Sequence, residues 1–281
     1  MKIQIRHVTR YRYMDRVFLE PHTFRLTPRP DRHARVLSRT LTIRPEPAGC
    51  TEILENDGTI ATAAWFQGMT RSLEIEAETQ VRTEPFNPFA FLIHPAPCLH
   101  LPMVYPPAWI GPLGPYLGDA ADEPEVATFA RDLADAGRGD PLATLIALCR
   151  AVCDDFQYEK RPSGPPHAPR QTLAERRGSC RDFVVLAMAA GRHLGLACRY
   201  ASGYHLGEAT GEPGDLHAWL EVFLPGAGWR GFDPANGIAC DHHHLALSAS
   251  ADPALTLPVT GSFRGRTSSC MQAELSLEPI P

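Results

Sequence analysis

Residues 216–233 constrain the fold more than any other stretch. LHAWLEVFL at 216–224 alternates with the period of two that belongs to a strand, so His217, Trp219, Glu221 and Phe223 share one face. The turn signal Pro225-Gly226-Ala227-Gly228 follows, and then a second strand-like run from Trp229 to Asp233. His217 lies eight residues before Pro225 and Asp233 eight residues after it. A hairpin centred there sets the imidazole opposite the carboxylate, and a slip of two residues still leaves them diagonal neighbours. Pro234 offers no N–H to continue the ladder, which leaves Asp233 at a strand terminus.

A nucleophile for this pair stands upstream, in Gly178-Ser179-Cys180-Arg181-Asp182-Phe183. RDFVVLAMAAGRHL at 181–194 reads as a buried helix, which puts Cys180 at its N-terminus. A thiol is a poor nucleophile until it becomes a thiolate. Unpaired backbone N–H groups and the helix dipole favour negative charge on sulfur there. An imidazole within reach takes the proton and holds it as an ion pair, while a carboxylate on one ring nitrogen turns the other toward the sulfur. Singly, a buried Cys, a His beside a Trp and an Asp before a Pro are ordinary structural residues. Their order and placement together point to a catalytic triad of Cys180, His217 and Asp233.

GSCRDF, SGYHLG, LHAWLEVFLPGAGW and GFDPANG resemble the core of the transglutaminase-like superfamily, and most nearly the bacterial branch described as predicted cysteine proteases. In that family a Cys at a helix start, with a His and an Asp on adjacent strands, forms a papain-like triad, and the matching positions are Cys180, His217 and Asp233. IRHVTRYRYMDRVFLEPHTFRLTPRP is similar to the β-rich N-terminal domain of the same branch, so the resemblance covers most of the chain. Where such proteins often carry DxxGN, this chain has Glu55-Asn56-Asp57-Gly58-Thr59. The resemblance implies an α+β fold: an N-terminal antiparallel β domain, then a papain-like core with the Cys-bearing helix packed on an antiparallel sheet. It implies cysteine-dependent acyl transfer on a peptide or protein amide, through a thioester and without cofactor or metal. Hydrolysis is the expected outcome, since nothing here resembles the calcium sites of the animal crosslinking enzymes. Amine transfer and a non-catalytic peptide-binding scaffold are the alternatives.

A length of 281 residues suits two domains. The expected division is 1–84 for the β domain, 85–118 for a Pro-rich connection and 119–281 for the core. The net charge of −5 speaks against a nucleic-acid partner. No run of about 18 apolar residues suggests a membrane span, and MKIQIRHVTRYRY has no apolar signal core, so a cytoplasmic protein is expected. Eight cysteines lack CxxC or zinc spacing and read as reduced thiols, with Cys149 and Cys153 one helical turn apart on an apolar stripe.

Along 1–84, apolar residues alternate with charged ones, as in Leu73, Ile75 and Ala77 between Glu74, Glu76 and Glu78. The arginines at 6, 10, 12, 16, 25 and 29 read as a solvated sheet face. Prolines crowd 85–118 and exclude a helix interior, which predicts an extended connection anchored by its aromatic side chains. Helical spacing marks 123–136 and the stretch after Asp140, an N-cap followed by Pro141. Thr172-x-x-Glu175 reads as a capping box. The irregular loop at 159–170 should lie over the cleft, with Tyr158 lining it. Gly203-Tyr204 matches the family pattern and makes Tyr204 a second cleft candidate. Trp219 is a third, as a shield for the ion pair, and the Gly-rich loop 205–215 should form a lip of the site. Asn236 reads as a turn former. Of the imidazoles in Asp241-His242-His243-His244 at most two can converge on a strand, so no metal site is assigned. VTGSFRG and MQAELSLE in the tail read as closing strands.

Overall fold

A 23-residue strand, β1 (Lys2–Phe24), carries the N-terminal sheet. It is joined by β2 (Ala34–Arg44), β3 (Gly49–Leu54), β4 (Ile60–Trp65) and β5 (Thr70–Thr83) in the antiparallel order β2-β5-β1-β4-β3. The computed structural model describes residues 1–118, 123–161, 164–206 and 215–280. The period-two pattern does what it predicts: Ile3, Ile5, Leu73, Ile75 and Ala77 are buried. On the other face the arginine tract meets acids across the strands, with Arg10 Nε 2.6 Å from Glu74 and Arg6 beside Glu76. Such solvated pairs each contribute little. Arg25 differs. It is buried, and both oxygens of Glu55, in the ENDGT segment, accept from it at 2.6 and 2.7 Å.

The connection at 85–118 departs from the expected extended path, because α1 (Pro107–Leu117) is helical despite Pro112 and Pro115 inside it. Tertiary contacts explain the override of propensity. Trp109 packs on Phe223 and Tyr116 on Trp229, each with ring centroids 4.8 Å apart, and Leu113 is buried. The aromatic anchoring itself is present. The Tyr105 hydroxyl donates to the Phe223 carbonyl at 2.7 Å and accepts from the Ala197 N–H at 2.9 Å.

Two amphipathic helices follow, α2 (Pro124–Ala136) and α3 (Pro141–Asp155), the second capped by Asp140 accepting from the Ala143 N–H. Next come β6 (Gln157–Tyr158), α4 (Pro169–Glu175), β7 (Arg177–Gly178) and α5 (Cys180–His193). The second sheet uses β8 (Cys198–His205), β9 (Asp215–Leu224), β10 (Gly228–Asp233), β11 (Ile238–Ala239) and β12 (His244–Ser250) in the order β11-β10-β9-β8-β12. Phe183, Val184, Leu186 and Ala187 of α5 share one buried cluster with Ala218, Leu220 and Val222 of β9 and with Cys149 of α3. The whole is α+β, as the resemblance implies. No helix among the described residues is long and apolar enough to cross a membrane.

The tail does form two strands, β13 (Val259–Arg264) and β14 (Ser269–Ile280), but their partner is the N-terminal sheet. β14 runs antiparallel to β1 from Lys2 opposite Ile280 to Tyr13 opposite Ser269, and β13 pairs with its far end. Grouping 119–281 as one stretch by sequence thus cuts across the hydrogen bonding. Tyr204, a cleft candidate, is corrected here. It is 1% exposed, clusters with Ile3, Ile5 and Val81, and shares a 3.0 Å hydrogen bond with Nδ1 of the buried His7. The phenol joins the two sheets and does not face the cleft.

Replacing Tyr204 with Phe strips that bond from a buried imidazole. A loss of about 1–2 kcal/mol is expected in urea unfolding, with iodoacetamide reactivity at Cys180 unchanged.

Candidate active site

Ser179 is the N-cap of α5 and Cys180 its first residue. Asp182, one turn in, reaches back over the cap. Its carboxylate accepts from the Ser179 N–H at 2.7 Å and the Ser179 hydroxyl at 2.8 Å. Arg161 Nη2 donates to it at 2.6 Å and the His167 N–H at 2.7 Å. Burial works to raise the carboxyl's pKa, but the His167 and Ser179 donors and the Arg161 charge hold it below the usual range. A Cβ at Gly178 would lie 2.8 Å from that of Asp182, so only glycine admits this approach. The capping pattern expected at Thr172 is not used, because Pro169 starts α4 three residues earlier. Ser179-x-x-Asp182 carries the cap instead, a signal present in the sequence. Arg181 donates to the carbonyls of Gly164 and Arg161, at 2.8 and 2.6 Å, which ties the preceding loop to the helix start.

The β9–β10 hairpin turns at Pro225–Gly228, where Gly226 and Gly228 have φ of 87° and 75°, a conformation that favours glycine. Its register runs from Gly228 opposite Leu224 to Phe232 opposite Leu220. One step further, Asp233 falls across from Trp219 and not from His217. The two are diagonal neighbours, and the contact forms: His217 Nε2 is 2.8 Å from Asp233 Oδ2. His217 is 5% exposed and Asp233 0%.

The carboxylate is saturated. Oδ1 accepts from the N–H groups of Ala235 and Asn236 at 2.9 and 3.2 Å, and Oδ2 from Asn236 Nδ2 at 2.7 Å. Nε2 of His244 approaches Oδ2 at 3.1 Å. Against the cost of burial, the charges and hydrogen bonds of His217 and His244 hold Asp233 far below the carboxylate range. Burial also works against charge on His217, but the Asp233 charge and hydrogen bond, with a lesser push from Cys180, raise its pKa to about 10. Nδ1 of His217 is buried without a hydrogen-bond partner among the described residues. Oδ1 of Asp215 lies 4.0 Å from it, and Cys180 is near enough to the ring to add to its raised pKa. The arrangement is an imidazole held by one nitrogen, with the other unpartnered and a thiol near the ring.

Tyr158 lies at the site. Its two-residue strand pairs in parallel with β7, Tyr158 opposite Gly178, and it is 47% exposed. Burial and then the charges of Cys180, Asp215 and Asp233 push its phenol up. Tyr200, not singled out by sequence, is buried, and burial, then the Cys180 charge, pushes it up as well. Trp219 is buried with Ala201 and Ala249, its ring edge-on to His244 at 5.3 Å. It walls a cavity of about 390 Å³, with Arg29, Arg199, Trp229 and His244, that does not reach Cys180. Asn236 does more than turn the chain, and His244 was hidden in a run of three histidines. Polar atoms of Asp241, His242 and His243 lie within 4.8 Å of one another. Asp241 accepts there from the His243 N–H at 2.9 Å, a hydrogen-bonded turn that leads into β12. Of the expected lip at 205–215, residues 207–214 lie outside the described residues.

Two outcomes are expected. Asp182→Asn leaves Arg161 without its counter-charge and should lower stability by about 3 kcal/mol in urea unfolding. His217 keeps its proton to about pH 10 in the fold but only to about 6.5 when unfolded. Its contribution to stability is therefore whole below pH 6.5 and is lost as pH rises toward 10. Urea midpoints should fall across that window in the parent, and less in His217→Gln.

Comparison with known proteins identifies the family. Residues 127–234, which hold Cys180, His217 and Asp233, match the family model described as transglutaminase-like superfamily, and residues 3–82 match the bacterial transglutaminase-like N-terminal region. An uncharacterized protein of Mycobacterium tuberculosis (strain H37Rv) is 26% identical over 296 aligned residues, covering 100% of this chain and 93% of the relative. One of Mycobacterium leprae is 25% identical over 275, covering 94% of each. The crystal structure of a candidate cysteine protease from Cytophaga hutchinsonii superposes with a TM-score of 0.71 at 20% identity, covering 100% of this chain and 92% of the other, a likeness of fold. The chain is thus a member of the transglutaminase-like superfamily, with the bacterial N-terminal region ahead of its core.

Proposed function

We propose that the protein is a cysteine-dependent amidase or peptidase that works through an acyl-thioester on Cys180. One observation carries the reading: the buried His217 is fixed by Nε2 to a buried carboxylate while its Nδ1 has no partner among the described residues, and Cys180, whose sulfur adds to the raised pKa of that ring, stands at a helix N-terminus. An imidazolium there stabilises the thiolate as an ion pair. The thiolate attacks the amide carbonyl, forming a C–S bond and a tetrahedral oxyanion. The Cys180 N–H, unpaired within α5 by its position, is suited to stabilise that charge. On collapse the C–N bond breaks and the imidazolium gives its proton to the leaving amine. His217, now neutral, takes a proton from water as it attacks the thioester; the C–S bond breaks, the acid leaves, and the thiolate is restored beside the imidazolium. Asp233 holds the ring in place throughout.

The expected substrate is a peptide or protein amide, and a free thiol suits a reducing cytoplasm, which belongs to the same proposal. Amine transfer differs only in the group that resolves the thioester. Mass spectrometry of a glutamine peptide incubated with a labelled amine distinguishes the acid from the amide.

In the parent, iodoacetamide at neutral pH should label Cys180 well ahead of glutathione and of the buried Cys149 and Cys198. Cys180→Ala should abolish turnover of any amide the parent cleaves. Full activity in Cys180→Ala, or labelling of Cys180 no faster than glutathione, overturns the reading.

A further inference from the structure

Asp233 holds a second imidazole. His244, buried at the start of β12, reaches Asp233 Oδ2 through Nε2 at 3.1 Å, on the oxygen that also accepts from His217 at 2.8 Å and Asn236 at 2.7 Å. The backbone determines which way its proton points. The Asp241 N–H donates to His244 Nδ1 at 3.3 Å, so in the neutral ring Nδ1 is the acceptor and the proton is on Nε2, facing Asp233. In the charged ring Nδ1–H faces Asp241 Oδ1 at 3.4 Å, and Nε2 still donates to Asp233. Either way His244 is a donor to the triad carboxylate. Its ring is wedged edge-on between Trp219, 5.3 Å away, and His205, 4.8 Å away. The titratable groups facing it are Asp233, Asp241, His205 and His217.

The torsion that orients a carboxylate is soft, with no deep staggered wells. Oδ1 is held by two N–H groups of the turn after β10, but the place of Oδ2, on which His217 depends, is set by side chains. We propose that His244 is a positioning residue of this site: its Nε2–H pins Asp233 Oδ2, and through it the ring of His217, so that Nδ1 stays aimed at the Cys180 sulfur. The inference rests on the triad reading. It adds a fourth member, in the line Cys180, His217, Asp233, His244, that touches neither substrate nor sulfur. Supply of a donor from a separate strand also explains why the carboxylate can stay ionised at 0% exposure with an imidazolium already on it.

The test compares two variants of the full chain that divide the roles of the ring. His244→Phe keeps a flat ring between Trp219 and His205 but removes the donor. His244→Gln removes the ring but carries an N–H that can reach Asp233. The readouts are the rate of Cys180 alkylation by iodoacetamide at pH 7, followed by mass spectrometry, and the Tm. The expected result is alkylation about tenfold slower in His244→Phe, the scale of one hydrogen bond to a charged group, and within about twofold of the parent in His244→Gln. Alkylation of His244→Phe at the parent rate overturns the proposal and leaves the triad standing. A loss in His244→Gln equal to or greater than that in His244→Phe also overturns it, since the ring's packing then matters and not its donor. A parent Cys180 no faster than glutathione overturns the triad reading and this proposal together. Should His244→Phe fail to fold, imidazole nitrogen shifts of the parent decide: Nε2 of His244 must carry a proton, and an unprotonated Nε2 overturns the assignment.

Discussion

A carboxylate removed from water must be given back its hydrogen bonds or it takes up a proton, and Asp233 meets that demand with five donors among the described residues. Two come from the backbone of the turn that follows it, one from Asn236, and two from imidazoles on strands either side of β8. Those donors keep the group ionised, and an ionised group at that depth keeps His217 charged. The sheet is arranged around this point. The hairpin brings Asp233 diagonal to His217, β8 lies between β9 and β12, and the turn at 241–244 delivers the second imidazole. A change at any of these places reaches His217 through the carboxylate.

The helix that carries the thiol answers a matching demand. The first N–H groups of α5 need acceptors, and Asp182 supplies a buried one that also collects Arg161 and the His167 N–H. One side chain thereby caps the helix, anchors the loop ahead of it and fixes Gly178 against Tyr158. The two buried carboxylates divide the labour: Asp182 holds the start of the helix that carries Cys180, and Asp233 holds the ring of His217.

The N-terminal sheet is tied to the core by the chain's own end. β14 closes along β1, and Tyr204 and His7 share a bond where the two sheets meet. On the face of β9 that carries His217, the half-buried Glu221 pairs with Arg199 of the core and Arg29 of the N-terminal region. Their charges outweigh its burial and hold its pKa down. The surface behind the site is thus shared by both regions, and the cavity beside Trp219 and His244 lies at their meeting.

The local elements were legible from period and punctuation alone. Alternation marked the strands of the first 84 residues and of 216–233, Asp140 with Pro141 marked a helix start, and the apolar run after Cys180 marked the central helix. The order of thiol, imidazole and carboxylate along those elements was enough to nominate a triad. What the sequence could not determine was every contact between residues distant along it, since those depend on which surfaces meet and not on local preference. A helix with two internal prolines exists because Trp109 and Tyr116 found aromatic partners. Tyr204 left the cleft for the seam between the sheets because a strand's register, not its motif, decides where a side chain ends. Asp182, Asn236 and His244 read as a helix residue, a turn residue and one of three histidines. Only the packed structure, by taking two carboxylates out of water, made each of them a necessary partner.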